Sequence, residues 1–190
     1  FLLFIFYISS SVAQSKQWKL VWADEFNYKG LPDSSKWNYD VGNHGWGNNE
    51  KQNYTSGNKA NARVNGSKLI IEARKEKTDS VQYSSARLVT RGKASWQYGK
   101  VLVRARLPKG LGSWPAIWML AENMKQWPDD GEIDIMEHVG YDPAMVHASV
   151  HCKKYNHIIN TQKTAKVLVK DFSEKFHVYG VEWNKDSLRV

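Results

Sequence analysis

The sequence predicts an all-β fold, a jelly-roll sandwich of two antiparallel sheets, and three observations predict it. Short runs rich in β-branched and aromatic residues recur between Gly, Pro, Asn and Asp clusters. The segment Gly99 to Leu107 has a period of two, with Val101, Val103 and Ala105 alternating with Leu102, Arg104 and Arg106. No stretch keeps helical spacing over three turns. At 190 residues, 42% hydrophobic and 24% charged, the chain has one-domain length and near-globular composition, which excludes a disordered tail, a collagen and a polytopic membrane protein.

Taken in order, the chain opens on an apolar run, Phe1 to Ile8, followed by Ser9 to Ala13 with small residues at Ser11 and Ala13. This reads as the apolar region and cleavage site of a secretory signal peptide, too short for a membrane span. Neither Met nor a charged segment precedes it, so the leader is expected to be incomplete. Residues 14–190 are expected to form one exported domain, secreted or periplasmic. They contain no low-complexity linker and no internal repeat.

Strands are expected at Trp18 to Ala23, Lys68 to Ala73, Ala86 to Thr90, Gly99 to Leu107, Ile133 to Val139, Met145 to His151, Lys166 to Val169 and His177 to Trp183. Asn65-Gly66 signals a tight turn ahead of the second of these. Leu188 to Val190 is again strand-like, so the fold is expected to need strands beyond it. The net charge of +8 is spread along the chain rather than gathered into one arm or helix, which speaks for a basic exported protein and against a nucleic-acid binder. The single Cys, Cys152, excludes an internal disulfide and the four-Cys zinc patterns.

Function is written most clearly in Gly131-Glu132-Ile133-Asp134-Ile135-Met136-Glu137-His138. Like charges this close on a strand are costly unless chemistry needs them; the alternative is an exposed strand with acidic residues on its solvent side. On a regular strand Glu132 and Asp134 share a face and Glu137 points into the core. A one-residue β-bulge near Met136 would return Glu137 to the face of the other two. Trp114, Trp118 and Trp127 lie just upstream, in segments expected to be loops, and their indole faces suit stacking on sugar rings; alternatively one or two of them, Trp118 first, are core. Paired carboxylates beside a stacking cleft are what glycoside hydrolysis requires, one acid for the leaving oxygen and one carboxylate for the anomeric carbon. Asp134 would steer the neighbouring Glu132, and the crowded charges would raise the pKa of whichever Glu carries a proton. On a flat strand the two Glu would stand roughly 13 Å apart at about 3.3 Å per step, so the sheet must be concave.

Glu132-Ile133-Asp134-Ile135-Met136-Glu137 resembles the E-x-D-x-x-E signature of glycoside hydrolase family 16. The flanks are similar to its laminarinase branch: Trp22-Ala23-Asp24-Glu25-Phe26, Gly45-Trp46-Gly47-Asn48-Asn49-Glu50, Tyr98-Gly99, Leu107-Pro108-Lys109-Gly110 and Trp114-Pro115-Ala116-Ile117-Trp118. The resemblance implies a jelly roll with a substrate cleft across its concave sheet. It also implies retaining hydrolysis, Glu132 as nucleophile, Asp134 as its helper, Glu137 as acid/base, and further C-terminal strands.

His147, Ser149 and His151 share one face of the following strand, which the resemblance places beside the catalytic one. His151 is carried as a cleft residue, with His147 beside it. No third ligand stands at metal spacing, so no metal site is expected there. Asn49, or Asn48, would hydrogen-bond sugar hydroxyls or simply build a turn. No cofactor is expected. Some family members hold a structural calcium on the convex side, near positions that Glu25 and Gly66 match. The expected partner is a β-glucan, cut at β-1,3 links by a monomer with no nucleic acid and no membrane after leader removal. The rivals are another polysaccharide, such as mixed-linkage glucan, agarose or carrageenan, and a catalytically silent β-glucan-binding lectin of the same shape.

Overall fold

The computed structural model of the protein describes residues 17–76 and 82–190, so the expected leader lies outside the described residues. Every regular element described is a strand. Backbone contacts gather the chain into two compact units, the first ending at Arg87 and the second running from Leu88 to Val190.

The first unit holds β1 (Lys29–Gly30), β2 (Asn38–Asp40), β3 (Gln52–Tyr54), β4 (Ala62–Asn65), β5 (Leu69–Ile71), β6 (Arg74–Lys75) and β7 (Tyr83–Ser85). β4 pairs antiparallel with both β1 and β5. β7 lies antiparallel to β6 but parallel to β3, the one departure from the expected antiparallel pattern among the described pairs. The Asn65-Gly66 turn joins β4 to β5 as the sequence suggests. Asn65 Oδ1 accepts the amides of Ser67 and Lys68 at 3.2 Å, and Gly66 takes the left-handed φ of +97° that the turn needs. Trp18 to Ala23 forms no strand. Leu20 is 79% exposed, and β propensity alone does not make a strand.

Polar side chains fix this unit's interior. The side-chain amide of buried Asn61 donates to Ser84 Oγ at 2.9 Å and the Glu72 carbonyl at 3.1 Å, while its oxygen accepts from Thr55 and Asn58. Asp24, its side chain 2% exposed, accepts from the Phe26 amide at 3.1 Å, Tyr28 Oη at 3.1 Å and Trp37 Nε1 at 2.9 Å, with Lys36 Nζ 3.8 Å away. Buried groups satisfied this fully hold a single arrangement.

β8 (Arg87–Val89) runs across the junction. The second unit continues with β9 (Gly99–Ala105), β10 (Ala116–Leu120), β11 (Glu132–His138), β12 (Met145–His151), β13 (Lys163–Leu168), β14 (His177–Trp183) and β15 (Leu188–Arg189). These form two antiparallel sheets, ordered β10-β11-β12-β13 and β15-β14-β9. Between them lies a core of Leu107, Ile135, Met136, Val146, Phe172, Tyr179 and Val181, with Val101, Ala105 and Ile133 packed against it. The expected alternation along β9 holds, with Lys100, Leu102 and Arg104 exposed and the residues between them part-buried. Each large apolar side chain in this core contributes roughly 1.5–3 kcal/mol. β10 was expected to be loop. Ala-Ile-Trp-Met-Leu is apolar on both faces, so its alternation cannot be seen in the sequence.

Candidate active site

β11 lies second in its sheet, and its register makes the site. Asp134 pairs with Trp118 on one side and Ser149 on the other, while Glu137 pairs with Ala116 and His147. Between those rows β11 has two residues, Ile135 and Met136, against one on each neighbour. This is the bulge expected near Met136. Ile135 and Met136 therefore both enter the core, Met136 only 1% exposed, and Glu137 returns to the face of Glu132 and Asp134. Directly paired residues point the same way, so one face carries Trp118, all three carboxylates, His147, Ser149 and His151.

Loops at both ends of β11 bring an indole to each Glu. At the first end, Asp130 Oδ2 accepts the amides of Lys125 and Gln126 at 2.6 and 2.9 Å, folding the loop that carries Trp127. Gly131 closes it at a left-handed φ of +88°. Trp127 Nε1 then donates to Glu132 Oε2 at 2.6 Å. At the other end, Gly140 donates to the Ser113 carbonyl at 2.9 Å; a Cβ there would lie 1.8 Å from the Gly110 carbonyl oxygen, so no other residue allows this approach. Trp114, on the loop so held, donates from Nε1 to Glu137 Oε1 at 3.0 Å. Trp114 is 50% exposed. Trp127 is half-buried. Trp118 sits on β10 rather than in a loop, half-buried beside Asp134.

Electrostatics distinguish the middle carboxylate. Asp134 is 5% exposed, and burial first, then the charges of Glu132 and Glu137, push its pKa up to about 8. The sequence reading expected one of the Glu to be raised. Asp134 is raised because it is the carboxylate driven deepest. His151 Nε2 lies 3.3 Å from Asp134 Oδ2, and burial, then the neighbouring His157, pull its pKa down.

His147 shares the row of Glu137 and stands 3.5 Å from Asp142 Oδ2. Ser149 Oγ lies 3.0 Å from Thr164 Oγ1 on β13. Asn49 belongs to the first unit, in a turn where Asn48 and Glu50 donate to the Gly45 carbonyl; it is exposed at a φ of +55°. Among the described residues no three His, Cys, Asp or Glu side chains gather at metal-binding distance. Glu25 is exposed, and Gly66 lies in the turn between β4 and β5. Sequence reasoning missed His157, whose ring lies 4.8 Å from Trp127 and 5.4 Å from His151. It sits in a loop with no local signal, and only the fold brings it here.

A sandwich that sets two carboxylates on one sheet face beside indoles is the arrangement of a glycoside hydrolase. The chain belongs to the glycosyl hydrolases of family 16, whose model matches residues 48–190. A beta-glucanase of Rhodothermus marinus is 56% identical over 180 residues, covering 93% of this chain and 63% of that protein. A glucan endo-1,3-beta-glucosidase of Cryptopygus antarcticus is 41% identical over 180 residues, covering 90% of this chain and 65% of that protein. The X-ray structure of the laminarinase from Rhodothermus marinus superimposes with a TM-score of 0.88 at 56% identity, covering 91% of this chain and 70% of that one. The chain thus spans just under two thirds of the length of the two relatives, and its fold is the jelly roll that the sequence predicted.

Proposed function

We propose that this chain carries the catalytic strand of an endo-acting β-glucan hydrolase that cuts β-1,3 links with retention of configuration. The observation that carries the proposal is the bulge that puts Glu132, Asp134 and Glu137 on one face with an indole N–H on each Glu. In this reading Glu132 attacks the anomeric carbon while Glu137 protonates the leaving oxygen. Glu137 then deprotonates the water that frees the sugar from Glu132. The shorter of the two indole bonds is on Glu132, and it holds the nucleophile in place. Asp134, neutral below about pH 8, sits between the two Glu without adding a third negative charge. Trp114, Trp118 and Trp127 offer ring faces to sugars, with His147 and His151 as polar contacts.

The test uses the full-length gene product on laminarin, lichenan, agarose and carrageenan, with NMR of the first-formed anomer. Short oligosaccharides from laminarin, β-configured at first, are expected. An inverted product overturns the role assignment, preference for a galactan moves the substrate within the family, and binding without cleavage favours the lectin. Export is part of the same proposal, resting on the leader-like run at Phe1 to Ala13; a mature N-terminus near Gln14 on protein recovered outside the cytoplasm tests it.

A further inference from the structure

The connection between β12 and β13, residues 152–162, is built around one buried side chain. Asn156 is 3% exposed and uses every polar atom. Its side-chain amide donates to the carbonyls of Cys152 and Lys153 at 3.2 and 3.4 Å, and its oxygen accepts the amides of Ile158 and Ile159 at 3.1 and 3.3 Å. Its own amide donates to Thr161 Oγ1 at 3.2 Å, and its carbonyl accepts the Thr161 amide at 3.0 Å. Lys153 Nζ, 3.3 Å from Asp129 Oδ2, ties this loop to the one that carries Trp127. A loop pinned this thoroughly presents its next residue in a fixed place, and that residue is His157.

His157 is exposed, yet its ring is placed against both side chains that touch the deeper carboxylates. It lies tilted at 34° against Trp127, which holds Glu132 at 2.6 Å, and meets edge-on His151, which touches Asp134 at 3.3 Å. We infer that His157 is a positioning residue for Glu132: its ring fixes the indole whose N–H aims that carboxylate at the anomeric carbon. The inference rests on the reading of Glu132 as nucleophile. Trp127 hangs from a loop, and without the ring outside it the indole can rock and release Glu132. A displacement near 1 Å in a reacting group costs on the order of 10- to 100-fold in rate.

The experiment measures kcat and KM on laminarin for the full-length protein and for His157→Ala, His157→Phe and His157→Gln, with melting temperatures alongside. His157→Ala should lower kcat on the order of 10- to 100-fold with KM changed less than about threefold. His157→Phe should recover most of the rate because it keeps a ring against the indole, and His157→Gln should not. Melting temperatures should stay together because the ring is exposed. Equal activity of wild type and His157→Ala overturns the inference, and so does an effect confined to KM, which marks a direct sugar contact. Failure of Phe to rescue, or unfolding of His157→Ala, also overturns it. A wild-type protein inert on laminarin sinks the functional reading instead, so the two failures are distinct.

Discussion

Asp24 in the first unit and Asp134 in the second are both buried carboxylates, and their surroundings are opposite. Asp24 receives an amide, a phenol and an indole within 3.1 Å, with a lysine close by. Asp134 has one imidazole at 3.3 Å and two further carboxylates as neighbours, and its pKa rises to about 8. Glu50 repeats the first pattern, accepting from Gln52 at 2.6 Å, Tyr54 at 2.7 Å and Asn48 at 3.3 Å. A carboxylate ringed by donors is held in one place by them. One crowded by other carboxylates in a buried setting has its proton affinity shifted, which marks it as a candidate for chemistry.

The comparison breaks most visibly in rate. Glu132→Gln or Glu137→Gln should lower laminarin hydrolysis by about 10³-fold or more while leaving the melting temperature unchanged or higher. With Glu137→Ala, azide should restore turnover of an activated aryl glycoside, and with Glu132→Ala it should give no retained product. Asp24→Ala should do the reverse of the Gln variants, with a loss of about 3 kcal/mol in a denaturant titration as three donors lose their acceptor. A stability loss in the Glu variants and none in Asp24→Ala would invert the contrast.

Asp134 sharpens it through pH. Its folded pKa lies above the unfolded carboxylate value, so the folded state holds the proton longer; its contribution is fully present below about pH 4 and is lost as pH rises to about 8. Wild-type stability should therefore carry a downward slope of up to about 1.4 kcal/mol per pH unit across that window, and Asp134→Asn should remove it. Calorimetry of both proteins from pH 4 to 9 checks this; parallel curves would show that Asp134 is not strained. The smallest effect belongs to Tyr54→Phe, where loss of one phenol donor to Glu50 should cost about 1 kcal/mol in chemical denaturation.

The sequence made the second unit more legible than the first, for physical reasons. β12 and β14 match their expected bounds because apolar and polar residues alternate along them, and the bulge was readable because three carboxylates with conflicting parity could be reconciled in one way. β10 was missed because both its faces are apolar, and Trp18 to Ala23 was misjudged because propensity alone does not make a strand. The raised proton affinity of Asp134 was not legible, because depth below the surface is not written in spacing. The indole donors to Glu132 and Glu137, and His157 behind one of them, depend on where loops fold back. Trp114 and Trp127 could be picked out for their ring faces, but not for their N–H groups.

The bulge at Ile135–Met136 also makes two kinds of inherited change unequal. A replacement at Glu137 removes one carboxylate, leaves every neighbouring row in place, and can be undone by one replacement back. Loss of one of the two bulge residues restores even alternation and keeps Glu137 on the face of Glu132 and Asp134, but removes one of the two side chains, Ile135 or Met136, that the bulge sends into the core. A lineage that gives up catalysis can reach a silent but folded descendant by substitution, whereas deletion at this point leaves the three carboxylates on one face and empties part of the core beneath them.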